Sequence, residues 1–272
     1  MFEIKIDTLK LYREGLREFH VTDLAELMSE KNCKVKFFLE KILKIEPLKE
    51  IKLEPEPVEV GTEIHSFLEN FWKKREKMEI DINENFIEKV INEWEKENKD
   101  KILIFREMKR ILLENFAKVF VNKIHGNVKI KGIEEKITVE EKVKESVNIK
   151  IYGKVDLILE TKDYIYIIDY KTGAKPSGKT YSQVFENQVD LYAYMYRKKF
   201  ENLKKIKTLL IYMKRADSIE RDYNGKDFER KFKRTLEDFF RNDYVFKGNT
   251  NFCYLCNLKR ICEVIKHAKD NN

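Results

Sequence analysis

The chain has 272 residues, of which 42% are hydrophobic and 38% are Asp, Glu, Lys or Arg. This length corresponds to one large or two small domains. No apolar run approaches the roughly 18 residues that span a membrane, and the acidic N-terminal segment lacks the apolar stretch of a signal peptide. We therefore expect a cytoplasmic protein with no membrane partner. The net charge of +7 favours acidic partners such as nucleic acid, but it is weak evidence because the basic residues are spread along the chain.

Apolar residues recur at helical spacing in several segments. We expect the first helix to have Thr22 as its N-cap and to be interrupted near Cys33, and the second to begin at the N-cap Thr62. Between them, residues 46–60 contain three of the four prolines and are predicted to form an extended linker. The predicted helices cover residues 22–45, 62–77, 84–124, 181–199 and 226–242.

Segments rich in Ile, Val, Leu and Tyr predict strands. Strands are expected between 128 and 171, including 148–160 and 164–171, and again at 206–213. The Gly-, Pro- and Ser-containing stretch 173–180 is expected to be a loop. This order of helices, an antiparallel meander, a helix and a further strand predicts an α/β fold with a mixed central sheet flanked by helices.

Two acids and a lysine lie on one predicted hairpin. If its turn consists of residues 162 and 163, Asp156 lies directly opposite Asp169, with the Cβ atoms about 5 Å apart. Lys171 shares their face because side chains alternate along a strand. Such opposed carboxylates repel each other, so a positive charge should compensate them. Mg2+ can do so, because it is commonly held by carboxylates together with substrate phosphate. A four-residue loop would leave the acids diagonal, a three-residue loop would place them on opposite faces, and an ordinary hairpin with solvated charges is the alternative.

Four cysteines occur, three of them in a C-x2-C-x5-C pattern. This spacing is typical of a metal site, and a reducing compartment disfavours disulfides. Four thiolates can hold zinc or an iron–sulfur cluster, and the count alone favours zinc. The four residues are Cys33, Cys253, Cys256 and Cys262.

Other polar residues lie at positions where they could belong to a functional site. His65 borders the apolar stripe of its predicted helix, and its spacing alone favours a packed or solvated histidine. Gln188 lies where the stripe of its helix would be apolar, four residues before Tyr192, so it is either partly exposed or needs hydrogen-bond partners. Glu134 and Glu135 precede a predicted strand and could offer a further carboxylate, but acids are abundant in this chain.

Four short motifs occur in the order found in RecB-like nucleases of the PD-(D/E)XK superfamily, which the chain resembles over residues 61–65 and 130–200. The resemblance implies a restriction-endonuclease-like core. It also implies that His65, Asp156, Asp169 and the backbone carbonyl of Tyr170 bind a catalytic metal. Lys171 would position or deprotonate the attacking water, and Gln188 and Tyr192 would support the substrate or the site. The motifs are Gly61-x3-His65, Gly153-x2-Asp156, Asp169-Tyr170-Lys171 and Gln188-x3-Tyr192.

The cysteines resemble those of the iron–sulfur members of this family. In those members one upstream cysteine joins a C-terminal triplet to hold a [4Fe-4S] cluster, which here implies Cys33 with the triplet and favours iron–sulfur over zinc. Lys34 departs from the proline that many members carry. The resemblance implies an N-terminal helical segment (1–60), a nuclease core (61–248) with a helical insertion at about 66–125, and a cysteine tail (249–272). The cluster would staple the two termini.

The implied function is similar to that of the CRISPR-associated (Cas-four-like) exonucleases and of AddB-type repair nucleases. We expect a DNA exonuclease dependent on Mg2+ or Mn2+, acting on single-stranded DNA or DNA ends, with CRISPR adaptation or repair proteins as partners. The chain contains no Walker A motif and is not itself a helicase. The alternatives are a catalytically weak nucleic-acid-binding or assembly subunit that keeps the nuclease fold, and a zinc-stapled structural protein.

Overall fold

The computed structural model describes residues 3–30, 32–46, 57–97, 103–176, 179–200, 204–249, 253, 256 and 258–263. Its strands are β1 (Glu3–Ile6), β2 (Glu18–His20), β3 (Ile80–Ile82), β4 (Gly126–Lys144), β5 (Val147–Glu160), β6 (Tyr164–Lys171), β7 (Lys205–Tyr212), β8 (Asp217–Asp222) and β9 (Tyr244–Lys247). Its α-helices are α1 (Thr8–Arg13), α2 (Val21–Met28), α3 (Lys34–Phe37), α4 (Pro57–Lys73), α5 (Asn85–Glu97), α6 (Leu103–Lys123), α7 (Lys179–Phe200) and α8 (Gly225–Phe239). A π-helical turn (Phe38–Ile42) extends α3, and a 3-10 turn (Met213–Arg215) follows β7.

A mixed seven-stranded sheet forms the centre of the molecule. Its order is β3-β4-β5-β6-β7-β8, and β2 adds to β5 as a parallel neighbour. The β6–β7 pair is also parallel, as the crossover through α7 requires, whereas the remaining neighbours are antiparallel. The predicted α/β class with a mixed sheet flanked by helices is confirmed.

The sheet separates two hydrophobic cores. On one face, which we call the α7-side core, α2, α7 and α8 pack against the strands. On the other face, the α4-side core, α4, α5 and α6 cover the sheet around the fully buried Trp72 and Phe116. None of the described helices combines the length and apolarity needed to cross a membrane.

Strand β5 changes faces at Asp156. Successive strand residues point to opposite faces, so Val155 and Leu157 should lie on the same face. Instead, Val155 belongs to the α7-side core and Leu157 to the α4-side core. Asp156 therefore lies at a seam between the two layers.

The neighbouring strand β4 changes faces beside it. Ile133 packs against the α4-side core, whereas Ile137, four residues later, is buried in the α7-side core. Glu134 lies between them with a φ of +48°, a conformation that is uncommon for residues other than glycine. The β4–β5 register pairs the residues on each side of Glu134 with those on each side of Asp156, so the two irregular positions lie next to each other.

Two predicted helix starts were wrong. The N-cap of α2 is His20, whose Nδ1 accepts a hydrogen bond from the Thr22 backbone N–H at 3.2 Å, so Thr22 is already helical. Helix α4 begins at Pro57 rather than after Thr62, because proline has a fixed φ and no N–H and so suits a first helical turn. Residues 47–56 of the predicted linker lie outside the described residues.

The remaining differences concern helix breaks and short strands. The predicted helix 22–45 is interrupted as expected, and α3 begins directly after its N-cap, Cys33. The segment 84–124 contains two helices, α5 and α6. The short strands carry no pattern that predicts them, and β1 pairs with β9 and so joins the N-terminal segment to residues 244–247.

Candidate active site

The β5–β6 hairpin has the predicted register. Leu157 pairs with Ile168 and Glu160 with Ile165, which leaves residues 162 and 163 as the turn. Asp156 and Asp169 lie directly beyond the last of these pairs, Leu157 with Ile168, at the end of the paired stretch. The Tyr170 backbone N–H donates a hydrogen bond of 2.9 Å to Asp156 Oδ2 and fixes that carboxylate at the seam.

Three potential metal ligands converge beside this hairpin. The ligand atoms of His65, Glu134 and Asp156 lie within 4.8 Å of one another. His65 Nδ1 is 3.7 Å from Glu134 Oε1 and 3.6 Å from Asp156 Oδ1. On the other side of the ring, His65 Nε2 lies 3.1 Å from the Tyr170 carbonyl oxygen. A proton on Nε2 would be donated to that carbonyl, and the Nδ1 lone pair would then face the two carboxylates.

Glu134 has a more central place than its sequence suggested. It does not precede a strand but lies inside β4, and its αL backbone directs its side chain to the seam. Its Oε2 is paired with Lys154, whereas its buried Oε1 makes no hydrogen bond within the described part of the chain. A buried carboxylate oxygen without a donor is the group that a cation would satisfy.

The second acid of the hairpin belongs to a different set of contacts. Lys171 Nζ lies 2.7 Å from Asp169 Oδ2 and donates to Gln188 Oε1 at 3.3 Å. The Gln188 amide Nε2 lies 3.3 Å from both Asp169 Oδ1 and the Tyr192 hydroxyl. Gln188 therefore has the partners that a buried amide requires, and α7 positions both Asp169 and Lys171.

The family model described as the PD-(D/E)XK nuclease superfamily matches residues 25–263. The chain belongs to this nuclease superfamily. Among curated proteins no match was found.

Two solved structures share a partly similar arrangement. One is the protein SSO0001, at 16% identity and a TM-score of 0.46, covering 93% of this chain and 91% of that one. The other is a Eubacterium rectale protein provisionally named an exonuclease, at 11% identity and a TM-score of 0.46, covering 91% and 89%.

The electrostatics of the site suit the divalent metals that PD-(D/E)XK nucleases use. Burial, and then the neighbouring Asp169, raises the pKa of Asp156 to about 7. Burial opposes a charge on His65, but Glu134, Asp156 and Asp169 outweigh it and raise the pKa of the imidazole. Without a cation the site therefore favours bound protons, and a divalent cation would compensate the same negative charge. His65, Glu134 and Asp156 fit such an ion.

The four cysteines are free thiols, and Cys33, Cys253 and Cys256 are near enough to Cys262 to act on it electrostatically. The backbone N–H of Asn249 donates to Cys33 Sγ at 3.4 Å, which connects the end of β9 to the start of α3. Burial, and then the proximity of the other three thiols, raises the pKa of Cys262 to about 11. Such crowding disfavours thiolates unless a metal centre compensates their charge.

Proposed function

We propose that this chain is a DNA exonuclease that hydrolyses phosphodiester bonds with Mg2+ or Mn2+, acting on single-stranded DNA or DNA ends. The observation that carries the proposal is the convergence of His65, Glu134 and Asp156 within 4.8 Å, beside the Asp169–Lys171 pair. The motif resemblance and the cysteine set support a place among the RecB-like, Cas-four-like enzymes, and with it a role in CRISPR adaptation or repair.

The metal would be held by three side chains from three elements. His65 comes from α4, Glu134 from β4 and Asp156 from β5. Asp169 and the Tyr170 carbonyl complete the proposed ligand set from β6. When bound, the metal lowers the pKa of a coordinated water and neutralises charge on the phosphate.

Lys171 supplies a positive charge at the scissile phosphate. Burial opposes that charge, but Asp169 and Asp156 outweigh it and raise the pKa of the ammonium group. Asp169 and Gln188 hold Nζ on the same strand face as the acids. The ammonium group can therefore donate to a phosphate oxygen or orient the attacking water without moving far. Gln188 and Tyr192 act as positioning residues.

We also propose that Cys33, Cys253, Cys256 and Cys262 hold a [4Fe-4S] cluster. Four thiolates can hold either zinc or an iron–sulfur cluster, and the resemblance of the cysteine set to that of the iron–sulfur members favours the cluster. The cluster would reinforce the junction that β1 and β9 make between the two chain ends.

The nuclease proposal is tested by digestion of end-labelled single-stranded DNA with Mg2+ or Mn2+. We compare the wild type with Asp169→Ala and with the control Asp163→Ala, which removes an exposed acid from the turn of the same hairpin. Metal-dependent cleavage lost only in Asp169→Ala supports the proposal. No cleavage by the wild type favours the assembly-subunit alternative, and equal cleavage by all three indicates a contaminant.

The cluster proposal is tested on protein purified without oxygen. Four irons per chain with visible absorption, both lost in Cys256→Ser, support it. A colourless protein with one zinc per chain contradicts it.

A further inference from the structure

One face of the sheet is left uncovered beyond the site. Helices α4 to α6 cover the stretch of β4 before Glu134 and the stretch of β5 after Asp156. On the other side of the seam, every second residue of β5 from 148 to 154 points away from the α7-side core and is exposed. With their neighbours on β4 and β2 they form what we call the strip, composed of Glu18, His20, Lys136, Thr138, Glu140, Lys150, Tyr152 and Lys154.

Positive charge is concentrated at the end of the strip next to the site. Lys136 and Lys154 are directly opposite each other on β4 and β5, and like charges in that arrangement destabilise a sheet. Lys154 is paired with the metal-site acid Glu134, but Lys136 makes no ion pair with any residue that the structure describes. A polyanion lying across both lysines would compensate this repulsion. Further along, Lys150 lies between Glu140 and Glu18 and is paired with Glu18 at 3.0 Å, so the positive end of the strip is the one next to the site.

An exposed aromatic ring follows the lysine pair. Tyr152 is 40% exposed and lies beside His20, with ring centroids 5.3 Å apart and an interplanar angle of 70°. In the register Tyr152 lies between His20 and Thr138. Lysines that follow a backbone, with an exposed aromatic ring between them, are the features that bind single strands without sequence preference. A duplex would not use the ring, because its base faces are covered by stacking.

We propose that the strip binds the single-stranded nucleic acid substrate next to the metal site, with a base stacked on Tyr152 and phosphates on Lys136 and Lys154. This proposal rests on the proposed nuclease function. Charge complementarity and continuity carry it, because Lys154 connects the strip to Glu134. It identifies single strands as the substrate that this face accommodates.

The test measures the binding of fluorescein-labelled oligothymidylate by anisotropy in EDTA, across a salt series. Tyr152→Ala should raise the Kd about fivefold or more. Tyr152→Phe keeps the ring, so its Kd should stay within about twofold of the wild-type value. Lys136→Ala should make the plot of the logarithm of the association constant against the logarithm of salt concentration less steep, reducing the magnitude of its slope by about 0.7. The control Lys118→Ala, an exposed lysine on α6, should change neither quantity. Circular dichroism and thermal midpoints check that each variant is folded.

Several results would overturn the inference. These are no binding by the wild type, an unchanged Kd in Tyr152→Ala, or a preference for duplex of the same length. A change in molar mass by light scattering, without a change in DNA affinity, would identify the strip as a contact between two copies. Cleavage with Mn2+ is measured in parallel on the same oligonucleotide. Wild-type cleavage with an unaffected Tyr152→Ala refutes the strip alone, whereas weakened binding without any wild-type cleavage supports the strip and refutes the nuclease.

Discussion

Substitution of two motif glycines by alanine should change the stability of the fold in opposite directions. A Cβ atom on Gly153 would lie 2.7 Å from Val21 Cγ2 and 2.8 Å from Tyr192 Cε1, closer than such atoms approach in proteins. Both neighbours are buried, and the Val21 side chain is stiff. A Cβ atom on Gly61 would instead make an ordinary 3.5 Å contact with Thr172 Oγ1. Gly153 is therefore required for packing, whereas Gly61 is not.

The magnitudes follow from these contacts. Overpacking in Gly153→Ala costs about 1–3 kcal/mol, offset by the roughly 0.4–1 kcal/mol that a less flexible unfolded chain contributes. Gly61 lies inside α4, where alanine is favoured over glycine by about 0.5–1 kcal/mol. The two variants should thus differ in unfolding free energy by on the order of 2 kcal/mol, with Gly61→Ala the more stable.

Urea unfolding under identical conditions measures this difference. With an m-value of about 2–3 kcal/mol/M, the two midpoints should lie roughly 1 M apart. Gly153→Ala should also lower kcat, because Tyr192 contacts Gln188, which contacts Asp169. Equal midpoints, or a Gly61→Ala variant less stable than the wild type, would refute the packing argument.

Four further predictions concern the site and its supports. Glu134→Gly should be more stable than Glu134→Ala by on the order of 1 kcal/mol in urea unfolding, since only glycine relieves the positive φ, and neither variant should bind Mn2+ in calorimetry. Gln188→Leu should lower kcat about tenfold or more in initial-rate assays while leaving DNA affinity unchanged, because it releases Asp169 and Lys171 from α7. Cys256→Ser should lower the thermal midpoint by roughly 5–10 °C, on the order of 2–3 kcal/mol, and retained stability would contradict the staple. Lys34→Met should cost about 2 kcal/mol in urea unfolding, because the ammonium group caps three carbonyls at the end of α2.

The hairpin could be predicted from the sequence because its signals are local. The β-branched runs on each side of residues 162–163 are separated by a two-residue turn, and that turn sets the register that pairs Leu157 with Ile168. The apolar stripe of α4 was likewise visible in its spacing, and its residues fill the α4-side core. Where turn length and periodicity decide the structure, a single sequence is enough to predict it.

Glu134 could not be found in this way. The apolar residues Ile133 and Ile137, and likewise Val155 and Leu157, keep the even spacing of a regular strand, although each pair spans a change of face. The change is made by the backbone at Glu134, whose positive φ has no glycine to signal it. The short strands were missed for a different reason, since β1 and β2 depend on partners far along the chain.

The change of faces explains why the site lies where it does. A regular strand would direct an acid into one helical layer only, and the site would draw its other residues from that layer alone. At the seam, α4 contributes His65 from one layer, whereas α7 contributes Gln188 from the other. Where β4 follows Glu134 and β5 precedes Asp156, the apolar residues point to α7, so the opposite face of the sheet is not covered by α4 to α6. The irregularity that brings the metal ligands together therefore also exposes Lys154 and Tyr152, so the catalytic site and the proposed substrate surface have one structural cause.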